Sequence, residues 1–364
     1  MKQESSLWPA AGFAAATFGG TILHFLYDWT GGNILVTPFS GVNESTWEHM
    51  KLLFWPLFLF ALIQRSSFRA NTTTIMIEVK DISFGYGGKL NAVFKDFSLS
   101  VAPGRIYGLL GKNGTGKSTL LYLIAGLLRP VKGLVTVDGV ESQRRLPETL
   151  QDIFIVPEEF ELPKMTLENF VRINAPFYPR FSWDDLERNL RDFELPTTLN
   201  LGALSMGQKK KVYMSFALAT NTKLLLMDEP TNGLDIPAKG QFRKVISSSM
   251  NDERTILIST HQVGDVNVLL DHVMIVERSR LLADCSTAEL SELLCFEQRP
   301  MGAPTEDTLF AYPYIGGHLV VCANTEGQET PLNLELLFNA VHAVPNLLET
   351  ARQAKFANHA NGFA

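Results

Sequence analysis

Residues 105–128, RIYGLLGKNGTGKSTLLYLIAGLL, decide the fold. An apolar run of strand character breaks into a glycine-rich loop, which opens at once into an apolar run of helical character. Within the loop, Gly111, Gly116, Lys117 and Ser118 fill the pattern G-x-x-x-x-G-K-[ST], in the strand–loop–helix context that the pattern requires. The residue types follow from phosphate chemistry. Glycines let the backbone curl until several N–H groups point at one phosphate, the lysine adds a cation for the β and γ oxygens, and the serine hydroxyl is placed to ligate magnesium. Asn113, Gly114, Thr115 and Thr119 complete the candidate phosphate cradle.

Such a loop needs a second strand that brings carboxylates to the metal and the attacking water. Residues 223–230, KLLLMDEP, supply an apolar run ending in Asp228 and Glu229, at the carboxyl end of a strand, where ligands bind in open α/β sheets. Asp228 is the candidate magnesium ligand and Glu229 the candidate general base. Taken alone the run reads as a buried strand with an acidic turn; beside a phosphate loop the catalytic reading prevails.

The chain has 364 residues, enough for more than one domain, and a formal net charge of -6 without a clustered Lys/Arg excess, which speaks against a nucleic-acid partner. Cys285, Cys295 and Cys322 have no paired spacing and no Cys/His cluster beside them. Neither a disulfide framework nor a zinc site is expected, and a reducing compartment is the default.

Charge density divides the chain, with 8 charged side chains in residues 1–75 and 62 in the remaining 289. Residues 10–29 open with 18 uncharged residues before Asp28, roughly the length that crosses a hydrocarbon core, so they form a candidate transmembrane helix. Residues 52–64 are shorter and contain Pro56, which makes them the weaker candidate. A cleaved signal peptide is not expected, because the apolar run starts late and exceeds the usual apolar core of such peptides.

In order along the chain stand GKNGTGKST (111–119), LSMGQKKKV (204–212), LLLMDEP (224–230), GLD (233–235) and STHQ (259–262). With these motifs the chain resembles the nucleotide-binding subunits of ATP-binding cassette (ABC) transporters over roughly residues 76–289, and LSMGQ separates that family from other phosphate-loop ATPases. The resemblance implies ATP and Mg2+ as ligands, a second nucleotide-binding domain stacked head to tail as partner, and separately encoded membrane permease subunits. It implies that Ser205, Gly207 and Gln208 offer a helix amino terminus and a hydroxyl to the γ-phosphate held by Lys117 of the second copy. Asp235 is expected at the same interface. By the same resemblance His261 contacts the γ-phosphate and orders the attacking water, and Tyr86 in ISFGYGG stacks on adenine. A lone histidine is usually structural and a strand-end tyrosine is commonplace; the motif order favours the functional roles. GTILHFLYDWTGGN (20–33) and NESTWEHMKLLFWP (43–56) resemble the opening of a small bacterial integral membrane protein family of unknown function.

Two departures from the ABC pattern matter. Met206 replaces the first glycine of LSGGQ, while the serine, second glycine and glutamine remain. In FIVPEEFELPKMTLENF (154–170), Glu158 stands where the family's glutamine follows the proline. A carboxylate there also meets the metal but adds negative charge beside Asp228 and Glu229, so slower or more tightly coupled hydrolysis is expected.

The expected fold is α/β, a phosphate-loop ATPase core with a mostly parallel sheet, an antiparallel edge sheet and an inserted helical subdomain, preceded by a hydrophobic helical segment. MIEVKDISF, FSLSV and GLVTVDG read as the edge sheet; RIYGLL, DIFIVP, KLLLMD and TILIST read as the parallel core. The expected domains are 1–75, 76–295 with a helical subdomain at about 159–219, and 296–364. Lys209–Lys211 reads as a solvated helix face, GGHLVVCANTEG as a strand and turn, LNLELLFNAV as a helix, and the end, ARQAKFANHANGFA, as frayed.

The function expected is ATP hydrolysis by a dimer that powers transport through a permease at the cytoplasmic face of the membrane, with export favoured and residues 10–64 as a candidate anchor. A soluble, non-transport cassette ATPase is the alternative, and a non-enzymatic scaffold is disfavoured by the intact Lys117, Asp228, Glu229 and His261.

Overall fold

The computed structural model describes residue 30 and residues 76–87 and 92–361. The chain divides into two compact units, residues 1–73 and 74–364. The apolar runs 10–29 and 52–64, expected as membrane helices, lie outside the described residues. Among the described residues, no helix is long and apolar enough to cross a membrane.

The second unit opens with β1 (Ile77–Gly85) and β2 (Ala92–Val101), paired antiparallel. Strand β3 (Ile106–Leu110) then leads through the glycine loop into helix α1 (Lys117–Ile124), and β4 (Lys132–Val137) with β5 (Val140–Glu141) returns to β1. These edge strands form a four-stranded sheet in the order β2-β1-β4-β5. After a single turn, α2 (Pro147–Leu150), come β6 (Ile153–Val156), α3 (Leu167–Asn174), α4 (Trp183–Asp192), α5 (Met206–Ala219), β7 (Leu224–Asp228), α6 (Ile236–Ser248), β8 (Thr255–Thr260), β9 (His272–Glu277) and β10 (Arg280–Ser286). They build a six-stranded sheet, β10-β9-β3-β8-β7-β6, parallel from β9 to β6 with β10 antiparallel at its edge. The four strands read from sequence as the parallel core hold these places. β9 and β10 extend the sheet beyond that reading.

Both faces of the parallel sheet are covered, which is why its strands read as unbroken apolar runs. Side chains alternate between two cores: Leu225, Met227, Ile256 and Ile258 face one, while Leu224, Leu226, Leu257 and Met274 face the other, beneath the edge sheet and α1. Leu120, Leu121, Leu123 and Ile124 of α1 are fully buried there. The phosphate loop therefore hangs from a strand and a helix that are both immobilised by packing.

Residues 159–219 hold three helices, each started by a side chain that accepts a backbone N–H: Thr166 for α3, Ser182 for α4 and Ser205 for α5. Phe216 of α5 packs edge-on against Phe154 of β6 and Phe170 of α3, at centroid distances of 5.9 and 5.1 Å, tying the helices to the sheet.

Helix α7 (Thr287–Leu293) leads to a three-stranded antiparallel sheet in which β13 (Gly317–Ala323) lies between β11 (Leu294–Pro300) and β12 (Phe310–Tyr314). The boundary drawn at 295/296 falls inside β11. Leu334, Leu337 and Ala340 of α8 (Leu334–Ala343) join the same core as Leu269 and Leu270. The expected frayed segment is helical as far as it is described, because α9 (Leu347–Asn361) runs into it. The periodic signal sits upstream of the polar tail, in Leu347, Leu348 and Ala351, all buried, and Arg352 adds an ion pair to Glu289 at 2.6 Å.

Candidate functional site

The loop after β3 needs its glycines for space. A Cβ on Gly116, which has φ +99°, falls 2.6 Å from Val93 Cγ1 and 2.8 Å from Phe94 Cζ, and one on Gly111 falls 2.7 Å from Thr115 Oγ1. The loop is thus pressed against the edge sheet on one side, leaving its backbone to face an open cleft of about 340 Å³ lined in part by Asn113, Gly114, Lys117, Ser118, Glu158 and Glu229. Tyr86, Gly116 and Thr119 also line it. The cleft's set of loop backbone, Lys117 ammonium, Ser118 hydroxyl and carboxylates fits a magnesium nucleotide.

Lys117 Nζ is held by the carbonyls of Gly111 at 2.8 Å and Lys112 at 3.2 Å, 3.8 Å from Glu229 Oε1. Burial pulls its ammonium below the ordinary lysine range, against the opposing charges of Glu229, Asp228 and Glu158. Asp228, 1% exposed, accepts a hydrogen bond from Ser259 Oγ. Burial pushes its carboxyl above the ordinary range, offset in part by hydrogen bonds from Ser259 and Ser118. The Ser118 hydroxyl and the Asp228 carboxylate, assigned from sequence to one metal, are therefore neighbours.

Glu229 follows at the end of β7 with φ +44°, a left-handed conformation that costs a non-glycine residue about 1–2 kcal/mol. Four contacts hold it there. Its N–H donates to Ser259 O at 2.9 Å, its carbonyl accepts Lys210 Nζ at 2.9 Å, Thr260 Oγ1 donates to Oε2 at 2.9 Å, and the His261 N–H donates to Oε1 at 3.0 Å. His261 Nδ1 lies 2.8 Å from the same Oε1. Glu158 also takes part, because its Oε1 accepts Asn232 Nδ2 at 2.8 Å, so it reaches the turn after Glu229. Tyr86 is half exposed, with its hydroxyl 3.2 Å from Thr119 Oγ1 and its ring edge-on to Phe84.

Ser205, Gly207, Gln208 and Asp235 do not line this cleft; they stand at two helix starts. Ser205 Oγ accepts the Gln208 N–H at 3.3 Å while Gln208 Oε1 accepts the Ser205 N–H at 3.1 Å, a reciprocal cap for α5. Asp235 Oδ1 accepts the Ala238 N–H at 2.9 Å and caps α6.

Sequence reasoning missed Lys210. The run Lys209–Lys211 was expected on a solvated face, yet Lys210 is 7% exposed and its Nζ donates to Glu229 O and Asn232 O, both at 2.9 Å. Lys211 reaches Gln241 Oε1 at 2.9 Å. The available signal was helical spacing: Lys210 lies four and seven residues before Met214 and Ala217, on the buried face of α5.

A family profile described as "ABC transporter" matches residues 94–232, and one described as "Family of unknown function (DUF6512)" matches residues 1–75. The ABC transporter ATP-binding protein YtrB of Bacillus subtilis (strain 168) is 32% identical over 219 residues, covering 60% of this chain and 74% of that protein. The Nod factor export ATP-binding protein I of Rhizobium leguminosarum bv. viciae is 30% identical over 296 residues, covering 72% of this chain and 94% of that protein. The chain belongs to the ABC transporter ATP-binding proteins. Import proteins are also relatives: the methionine import ATP-binding protein MetN of Carboxydothermus hydrogenoformans is 33% identical over 226 residues, covering 57% and 66%. A solved structure titled "Structure of ATP binding subunit of ABC transporter" superposes with a TM-score of 0.53 at 29% identity, covering 59% of this chain and 91% of that one. As an ABC transporter ATP-binding subunit the protein is an ATPase coupled to transport.

Proposed function

We propose that two copies of this ABC subunit hydrolyse MgATP at sites shared head to tail, and thereby drive export through separately encoded permease subunits. The observation that carries the reading is the Glu229 carboxylate, fixed by Thr260 and His261 at the strand end beside Lys117. Lys117 turns from its two loop carbonyls to the β and γ oxygens, and Ser118 with Asp228 and Glu158 holds the metal. Magnesium held there would supply positive charge against the phosphates. Glu229 accepts the proton of the attacking water while His261, tied to the same carboxylate, sets the water's position. Asn113, Gly114, Thr115, Gly116 and Thr119 bind phosphate from the loop and first turn, and Tyr86 stacks on the base.

Ser205 supports the shared site. Its oxygen accepts the helix N–H, which leaves its own proton free for a γ-phosphate on the second copy, with Gly207 and Gln208 beside it and Asp235 at the same face. Met206 and Ile236, 62% and 86% exposed, are apolar groups flanking these two helix starts. A groove of about 790 Å³ lined by Leu127, Leu150, Phe160, Phe170, Phe177 and Tyr213 is the proposed permease contact. Export is favoured because the Nod factor export relative aligns over more of this chain than the import relative does. Residues 10–64 are the proposed anchor at the cytoplasmic face of the membrane, and if they cross it twice, Arg65 and Arg69 agree with the positive-inside rule.

The test is Mg2+-dependent turnover by the full chain together with ATP-dependent dimerisation in Glu229→Gln. No turnover, or a monomer with bound ATP, overturns the reading. Transport into inside-out or right-side-out vesicles decides direction.

A further inference from the structure

The sequence places Cys295 and Cys322 27 residues apart with no metal-type spacing around them. The fold sets them directly opposite each other in the antiparallel pair β11·β13. Glu297 lies two residues along β11, hence on the same face as Cys295. The two Sγ atoms and a Glu297 carboxylate oxygen all lie within 4.8 Å of one another, the one such group of three among the described residues. Both cysteines are free thiols and buried. They share a small apolar cluster with Val320 and Ala311, separate from the two main cores.

We propose that Cys295, Cys322 and Glu297 form a site for a thiophilic divalent cation of the zinc type. The donor set selects the ion: two thiols that give up their protons to become thiolates, plus one carboxylate, suit Zn2+ at about 2.0–2.3 Å and are poor for Mg2+ or Ca2+. The present spread exceeds the ~3.7 Å edge of a tetrahedral zinc–thiolate site by about 1 Å, which rotation about the cysteine and glutamate side-chain bonds closes. Solvent takes the fourth position. Arg299 now sits against the group, with Nε 3.2 Å from Glu297 Oε2 and a guanidinium nitrogen 3.6 Å from Cys322 Sγ. It has somewhere to go, because two further bonds at 2.6 and 2.8 Å bind it to Asp307. An ion displaces it from Glu297 and ties β11 to β13. This site lies on the C-terminal sheet, shares no residue with the nucleotide cleft, and does not depend on the function proposed above.

The experiment is a Co2+ titration of the full-length protein, purified reduced and metal-free, without nucleotide. Thiolate-to-cobalt charge-transfer absorption reports the site specifically, since cobalt at the nucleotide cleft meets only oxygen and nitrogen donors. We expect one equivalent of this absorption, bleached by one equivalent of Zn2+ and accompanied by a rise in the thermal midpoint. Cys322→Ser and Cys295→Ser lose it, Glu297→Gln weakens cobalt affinity at least tenfold, and Cys285→Ser keeps it. Glu297 is partly exposed, so Glu297→Gln remains informative if either cysteine variant fails to fold. Absence of the band, its persistence in folded Cys322→Ser, an unchanged affinity in Glu297→Gln, or a Cys295–Cys322 disulfide forming instead under the same reducing conditions overturns the assignment.

Discussion

His261 and Glu229 meet twice: the His261 backbone N–H donates to Glu229 Oε1 at 3.0 Å, and His261 Nδ1 lies 2.8 Å from the same atom. The side chain of one candidate catalytic group is therefore aimed by both the backbone and the ring of the other. Glu229→Gln keeps an oxygen for these contacts and loses the proton acceptor. Its kcat is expected to fall by ~10²–10⁴-fold with ATP affinity retained, measured by steady-state turnover and nucleotide titration. Equal loss of binding and turnover sinks the general-base role.

Lys210 secures the strained turn from the far side. Lys210→Met leaves the Glu229 carbonyl with only the Asn232 N–H, at 3.2 Å, and the Asn232 carbonyl without its ammonium partner, at about 1–3 kcal/mol for the group left unsatisfied. A lower thermal midpoint and a drop in kcat larger than any change in ATP KM are expected. An unchanged kcat in a folded variant removes Lys210 from the positioning of Glu229.

Glu158→Gln tests the added carboxylate. Glutamine still accepts the Asn232 Nδ2 bond through its oxygen, so the turn keeps its contact while one negative charge leaves the cleft. Turnover is expected to rise several-fold and the Mg2+ dependence to shift to higher concentration. If both stay as in the parent protein, the charge at this position has no catalytic consequence.

Asp228 carries a pH signature. Burial raises its folded pKa above 3.8, so the ionised form is disfavoured in the fold. The sign follows: without metal the penalty is full above the raised value and is relieved as pH falls through it toward 3.8. Asp228→Asn is expected to raise the metal-free thermal midpoint at pH 7, with a gain that shrinks on acidification, while abolishing Mg2+-dependent turnover. A midpoint lowered at pH 7 contradicts the assignment.

Gly116→Ala brings a Cβ to 2.6 Å from Val93 Cγ1 at φ +99°. Destabilisation of at least ~1–2 kcal/mol from the backbone alone is expected in chemical unfolding, together with weakened ATP binding as the loop shifts.

Much of the fold was legible because its signals are local. Apolar runs at 106–110, 224–227 and 256–258 announce strands covered on both faces, and G-x-x-x-x-G-K-S names its own loop. The helical end at 347–361 was not legible, since its polar second half is carried by the buried Leu347, Leu348 and Ala351 before it. Nor was the destination of Lys210, because a lysine in a charged run reads as solvated unless the carbonyls it will meet are known.

By itself the sequence determined the phosphate loop, the acidic strand end and the order of the motifs, because each is a short stretch whose backbone geometry and chemistry reside in its own residues. Tertiary structure alone decided that Lys210 binds the carbonyls of Glu229 and Asn232, that Glu158 reaches Asn232, and that Cys295 faces Cys322. Those pairings join segments 19 to 74 residues apart, and only strand register and helix packing bring their atoms within bonding distance.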